Sequence, residues 1–70
     1  MNPTDLFPLI GKVLSICTLT FKVTGKLEDV SGNIAELSNA TISTVDDNFT
    51  GQVLLNINSI MVYYEEEVKE

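Results

Sequence analysis

Phe21-Lys22-Val23-Thr24-Gly25-Lys26-Leu27-Glu28 is the stretch that decides the fold. Its period is two. Phe21, Val23, Gly25 and Leu27 fall on one side of an extended chain, and Lys22, Thr24, Lys26 and Glu28 on the other. A glycine inside such an alternation marks a bulge or sharp bend, by which a small barrel carries one strand across two sheets. Upstream, Val13, Ser15 and Cys17 alternate with Leu14, Ile16 and Thr18, a strand with both faces fairly apolar. Downstream, Ser31-Gly32-Asn33 reads as a turn, and a third strand runs from about Ile34 through Val45. Asp46–Gly51 is the longest polar loop. Val53, Leu55 and Ile57 share a face in a fourth strand, Gln52–Ile57, and Asn58-Ser59 is a very tight connection. In the fifth, Ile60–Glu65, Ile60, Val62 and Tyr64 alternate with Met61, Tyr63 and Glu65.

Residues 1–10 read as a short helical flap. Asn2 caps it, Pro3 suits its first position, Asp5 favours the positive end of its dipole, and Leu6, Phe7, Leu9 and Ile10 cover the strands. Pro8 bars a long helix and biases Phe7 toward extended backbone. The predicted fold is mostly β: a short N-terminal helical turn, then a five-stranded, highly bent antiparallel barrel, in one domain over residues 1–70 with an acidic tail at 65–70. The predicted core is Leu14, Ile16, Phe21, Val23, Leu27, Leu37, Ile42, Leu55 and Ile57.

Seventy residues weighing 7.7 kDa bury only about 60% of their unfolded surface, so such a chain needs a staple. One cysteine excludes an internal disulfide, and the absence of histidine leaves no zinc cluster. Self-association is the staple that remains. No run approaches the ~18 apolar residues of a membrane span, and the start lacks a signal peptide's basic and apolar regions. The cytoplasm is the expected location, and the sequons at Asn39 and Asn48 read as chance.

At this point the chain resembles the Sm-like family, which includes the LSm proteins and bacterial Hfq. Leu9-Ile10-Gly11-Lys12-Val13 is similar to the entry into that family's first motif. Val23-Thr24-Gly25-Lys26-Leu27-Glu28-Asp29-Val30 resembles its bent strand, and Asn39-Ala40-Thr41-Ile42 the strand that closes it. Val53-Leu54-Leu55-Asn56-Ile57-Asn58-Ser59-Ile60-Met61-Val62-Tyr63 has the shape of the second motif, two apolar strands about a tight turn. Small Sm-like proteins also occur in phages, and a short, acidic, arginine-free chain suits that origin. The resemblance implies a homo-oligomeric ring of about five to seven copies, in which the fourth strand of one subunit pairs with the fifth of the next. It implies a subunit interface at Val53, Leu55, Ile57, Ile60, Val62, Tyr63 and Tyr64. It also implies single-stranded RNA as partner, held where two turns face a pore: Ser31, Gly32 and Asn33 beside Asn56 and Asn58. The chain departs from the family at these turns. Ser31 stands near the position of the base-holding Asp, and the Arg-Gly step reads Asn56-Ile57 or Ile57-Asn58. Hfq's Lys-His pair has no counterpart. The resemblance supports fold and ring more strongly than uridine recognition.

The residues offer little for catalysis. Cys17 has no histidine to activate it, and Glu28 and Asp29, as neighbours on a strand, point to opposite faces. Asp46, Asn48 and Thr50 have the opening spacing of a calcium loop but lack its later glycine and glutamate. No enzyme activity, cofactor or metal is expected. Ten acidic residues against four lysines, a net charge of −6, weaken phosphate binding. Lys22 and Lys26 share a strand face and form a modest basic band, repeated in a ring. Tyr63 and Phe49 are stacking candidates. The competing reading is a structural or protein-interaction ring that has lost RNA recognition.

Overall fold

The computed structural model describes residues 2–43 and 50–66. A 3-10 helix, Pro3–Leu9, leads into β1 (Val13–Cys17), β2 (Lys22–Ser31), β3 (Ile34–Ser43) and β4 (Thr50–Asn56). A 3-10 turn, Ile57–Ser59, then leads into β5 (Val62–Glu65). Thr44, Val45, the loop residues Asp46–Phe49 and the tail beyond Glu66 lie outside the described residues. All pairings are antiparallel, in the order β4-β3-β2-β1-β5. The mostly β, strongly bent five-stranded architecture is the one expected. Its sheet stays open in the single chain, with β4 and β5 as edges.

The N-terminal helix begins as its sequence requires. The Asn2 side chain accepts the Thr4 N–H at 3.1 Å, and Pro3 stands at the first turn. Its end corrects the expectation for Pro8, which lies inside the helix, so Phe7 is helical. The bonds Asp5 N–H to Asn2 O and Ile10 N–H to Phe7 O bracket the proline, so its missing donor opens no gap that matters. The flap divides: Leu6 is fully buried and Leu9 packs on the core, while Phe7 and Ile10 face outward.

Gly25 marks the bend. The β1–β2 register runs unbroken from Val13↔Lys26 to Cys17↔Lys22, but the β2–β3 register shifts between Thr24 and Lys26. The extra residue is on β3, which also slips against β4 between Leu37 and Ala40. Asn39 absorbs it with a φ of 49°, a left-handed conformation that Asn adopts more readily than other side-chain-bearing residues. Asn39→Val should therefore cost about 1–2 kcal/mol and Asn39→Gly almost nothing, read from urea midpoints. A second shift falls between Leu27 and Asp29. One extra residue reverses the face of everything after it, and so Val30 returns to the core.

The core comprises Leu6, Leu14, Ile16, Val23, Leu27, Val30, Ala35, Leu37, Ala40, Val53, Leu55 and Ile57. Phe21 and Ile42, expected inside it, are only partly buried against its rim. Phe21 precedes β2 and closes the β1–β2 hairpin, its carbonyl accepting the Thr18 N–H, where less of the sheet covers it.

Candidate nucleic-acid interface

Ser31 pairs with Ile34, so the β2–β3 loop is two residues long, Gly32 and Asn33. Gly32 takes a φ of 58°, as the first loop position of a mirror-image hairpin turn demands. The Asn33 carbonyl accepts the Ile57 N–H at 2.7 Å, and Ile34 lies opposite Asn56 across β3 and β4. The β2–β3 turn and the β4–β5 connection are thus bonded to each other. Buried Ile57 anchors the second of them. Asn56 Oδ1 accepts the Asn58 N–H at 2.8 Å, and the Ser59 hydroxyl donates to the Asn56 carbonyl at 2.6 Å. That commits the Asn56 side-chain oxygen to structure. The amides of Asn33 and Asn58 are exposed and have no hydrogen-bond partner among the described residues. Asn56→Ala should cost about 1 kcal/mol through the lost cap, measured by thermal unfolding.

The structure brings Ser31, Gly32, Asn33, Asn56 and Asn58 together but leaves the lysines elsewhere. Lys26 and Lys22 precede Gly32 by six and ten residues of β2, or roughly 20 and 33 Å of strand. The charges beside the paired turns are acidic. Asp29 stands opposite Glu36, with one Glu36 oxygen accepting the Gln52 amide at 2.7 Å. Lys22 lies instead over the Tyr64 ring, its Nζ 5.7 Å from the centroid. The neighbouring Tyr64 phenol raises the Lys22 ammonium above the usual lysine value. Lys12 is paired with Glu65 at 3.5 Å, an exposed contact of small energetic value.

The residues assigned to a subunit seam separate into two groups. Val53, Leu55 and Ile57 point into the chain's own core, and Ile60 and Tyr63 pack against it. Val62 and Tyr64 are exposed, as is Leu54 on β4, which alternates with buried Val53 and Leu55. Among the described residues no group of three or more His, Cys, Asp or Glu side chains is placed to hold a metal. No helix among them is long and apolar enough to cross a membrane. The Lys22–Tyr64 contact was beyond sequence reasoning, because it depends on β5 lying beside β1, and no local pattern encodes that register.

Comparison by sequence matches no protein-family model and no curated protein. Comparison by structure does find matches. An Sm-like protein of Archaeoglobus fulgidus superposes with a TM-score of 0.72 at 18% identity, over 94% of this chain and 95% of that one. The Sm protein of Pyrococcus abyssii, solved in complex with a uridine heptamer, gives 0.73 at 13% identity, over 94% and 100%. A helical entry, five antiparallel strands bent at Gly25 and β5 returned beside β1 therefore build, in this chain, the Sm-like fold.

Proposed function

We propose that the chain is a single-domain protein that closes into a ring of its own copies and binds single-stranded RNA at the paired turns, without catalysis. The observation that carries this reading is the bond between the turns. It joins the two turns, and Asn33 and Asn58 on them are exposed, their amides without a hydrogen-bond partner among the described residues. Each amide offers two donors and an acceptor, enough to meet a base edge without charge. A neighbour of the same fold holds a uridine heptamer, which supports this ligand class. Two open edges, β4 with exposed Leu54 and β5 with exposed Val62, support assembly through strand pairing. One such pair of turns would bind weakly. Repetition around a ring raises apparent affinity through effective concentration.

Light scattering should give a mass about five to seven times that of the chain; a stable monomer at micromolar concentration would remove the ring. Fluorescence titration with a labelled uridine oligonucleotide tests the ligand. Asn33→Ala and Asn58→Ala should each weaken binding by up to about tenfold and leave the oligomer intact.

A second reading has its own observation. The opposed carboxylates of Asp29 and Glu36 beside the turns repel phosphate and suit a basic protein partner. If the parent chain binds no oligonucleotide at about 50 mM salt, the ring is an interaction module.

A further inference from the structure

Directly opposed residues on antiparallel strands share a face, so the registers lay out the outer surface of β2, β3 and β4 in rows. One row is Ser31–Ile34–Asn56, and the next is Asp29–Glu36–Leu54. Ile34 and Leu54 stand diagonally across β3 and β4, close enough for side chains of their length to form one patch. They keep 40% and 66% of their surface open, while Ala35, Val53 and Leu55 beside them are buried on the inner face. Carboxylates border this patch. Asp29 and Glu36 are directly opposed, an arrangement of like charges that costs stability. The register shift between Leu27 and Asp29 adds Glu28 to them. Glu28 and Asp29 are both exposed between buried Leu27 and Val30, not on the opposite faces that plain alternation predicts. The Ser38 hydroxyl donates to Glu28 and the Gln52 amide to Glu36, so neither partner brings a positive charge. Of the two lysines on these strands Lys26, opposite Ser38, is the nearer. Among the described residues no ion pair joins either lysine to these carboxylates.

We propose that this face is a docking surface for a protein segment in which an arginine or lysine adjoins a leucine-sized apolar residue. The cation enters between Asp29 and Glu36, and the apolar side chain covers Ile34 and Leu54. Charge complementarity selects this occupant. Three carboxylates on the face, in a chain of net charge −6, repel both nucleic-acid phosphate and a second copy of the chain. A cation between the opposed pair meets two negative charges at once and relieves a repulsion that the free chain carries. The apolar patch supplies what charge alone lacks, a preference for one neighbour of the cation over another. The inference deepens the second reading, a basic protein partner, and rests on it. It does not depend on nucleic acid at the paired turns.

The test uses the full chain and a fluorescein-labelled peptide whose Arg-Leu steps are spaced by glycine and serine, with Arg-Ser and Glu-Leu peptides as controls. The parent should bind the Arg-Leu peptide about tenfold more tightly than either control, and less tightly as salt rises. Asp29→Asn and Glu36→Gln should each weaken binding about threefold. Each should also raise the urea midpoint of the free chain, since it removes one of two opposed charges. A merely structural role would not couple weaker binding to higher stability. Ile34→Thr and Leu54→Ser should each weaken binding about five- to tenfold. Should Leu54→Ser alter the oligomer, Ile34→Thr, on the interior strand β3, decides. Parental affinity in both apolar variants overturns the proposal; if the carboxylate variants still lose affinity, charge alone holds the partner and the second reading survives. Displacement of the peptide by a uridine oligonucleotide that binds Glu36→Gln more tightly assigns the face to nucleic acid and overturns the proposal. No preference for arginine over glutamate, or no binding by the parent, overturns the proposal and the second reading together.

Discussion

Gly25→Ala is expected to destabilise the chain by about 2–3 kcal/mol, and Gly25→Val to abolish the folded state. A Cβ on Gly25 would stand 2.7 Å from the Ala40 Cβ, 2.9 Å from its Cα and 3.0 Å from the Ser38 carbonyl. Two of these three atoms are backbone, and the third is fixed rigidly to it, so no rotamer change relieves the contact. Relief requires β3 to move away from β2 at the bulge, where Asn39 already holds a left-handed conformation. A single core of this size supplies about 3–5 kcal/mol in all, so even alanine removes most of it. Gly32 is the control. Nothing lies within 4 Å of a Cβ built there, and only its φ of 58° is demanding. Gly32→Asn, which tolerates that conformation, should shift the urea midpoint little. If Gly25→Ala unfolds at the parental midpoint, the close approach of β2 and β3 is not what curves the sheet.

Leu55→Ala should cost about 2–5 kcal/mol and remove the oligomer together with the fold. Leu55 is 4% exposed on β4, the strand at one open edge of the sheet. Opposite it on β3 is Ala35, too small to collapse into the space left behind. Its loss therefore loosens the edge on which the proposed ring depends. Phe21→Ala, at the rim of the core, should cost clearly less than Leu55→Ala. Calorimetry at fixed protein concentration separates the two, since the melting point of an assembling chain depends on that concentration. Equal losses at the two positions would mean that Phe21 is more deeply packed than the hairpin geometry places it.

Much of the fold is legible in the sequence alone. Alternation from Phe21 to Leu27 fixes the faces of the first half of β2, since side chains on a strand repeat every two residues. Gly25 in mid-strand announces a bend, and Gly32-Asn33 a tight turn, because each is cheap for glycine and costly for most other residues. Asn2-Pro3 places the helix start. Alternation stops being a guide where a bulge reverses it: Val30 reads as outward and is buried. Tyr64 lies in an apolar strand whose two faces the sequence does not rank, and it is exposed in the folded chain.

For the candidate sites, residue types come from sequence and their grouping from the fold. Asn33 and Asn58 are visible as turn residues, and resemblance places their turns side by side. The Ile57 N–H to Asn33 carbonyl bond is a tertiary fact that spans two strands of chain. Lys22 and Lys26 are likewise visible as a pair on one face, a purely local consequence of their spacing. That Lys22 lies over Tyr64 and not beside the asparagine turns is decided by β5 crossing to lie beside β1. The physical reason is range: local sterics and two-residue periodicity write strands, bends and turns into neighbouring residues. Which strands then pair depends on burying apolar faces shared by residues far apart in the chain, and that is settled only when the whole core closes.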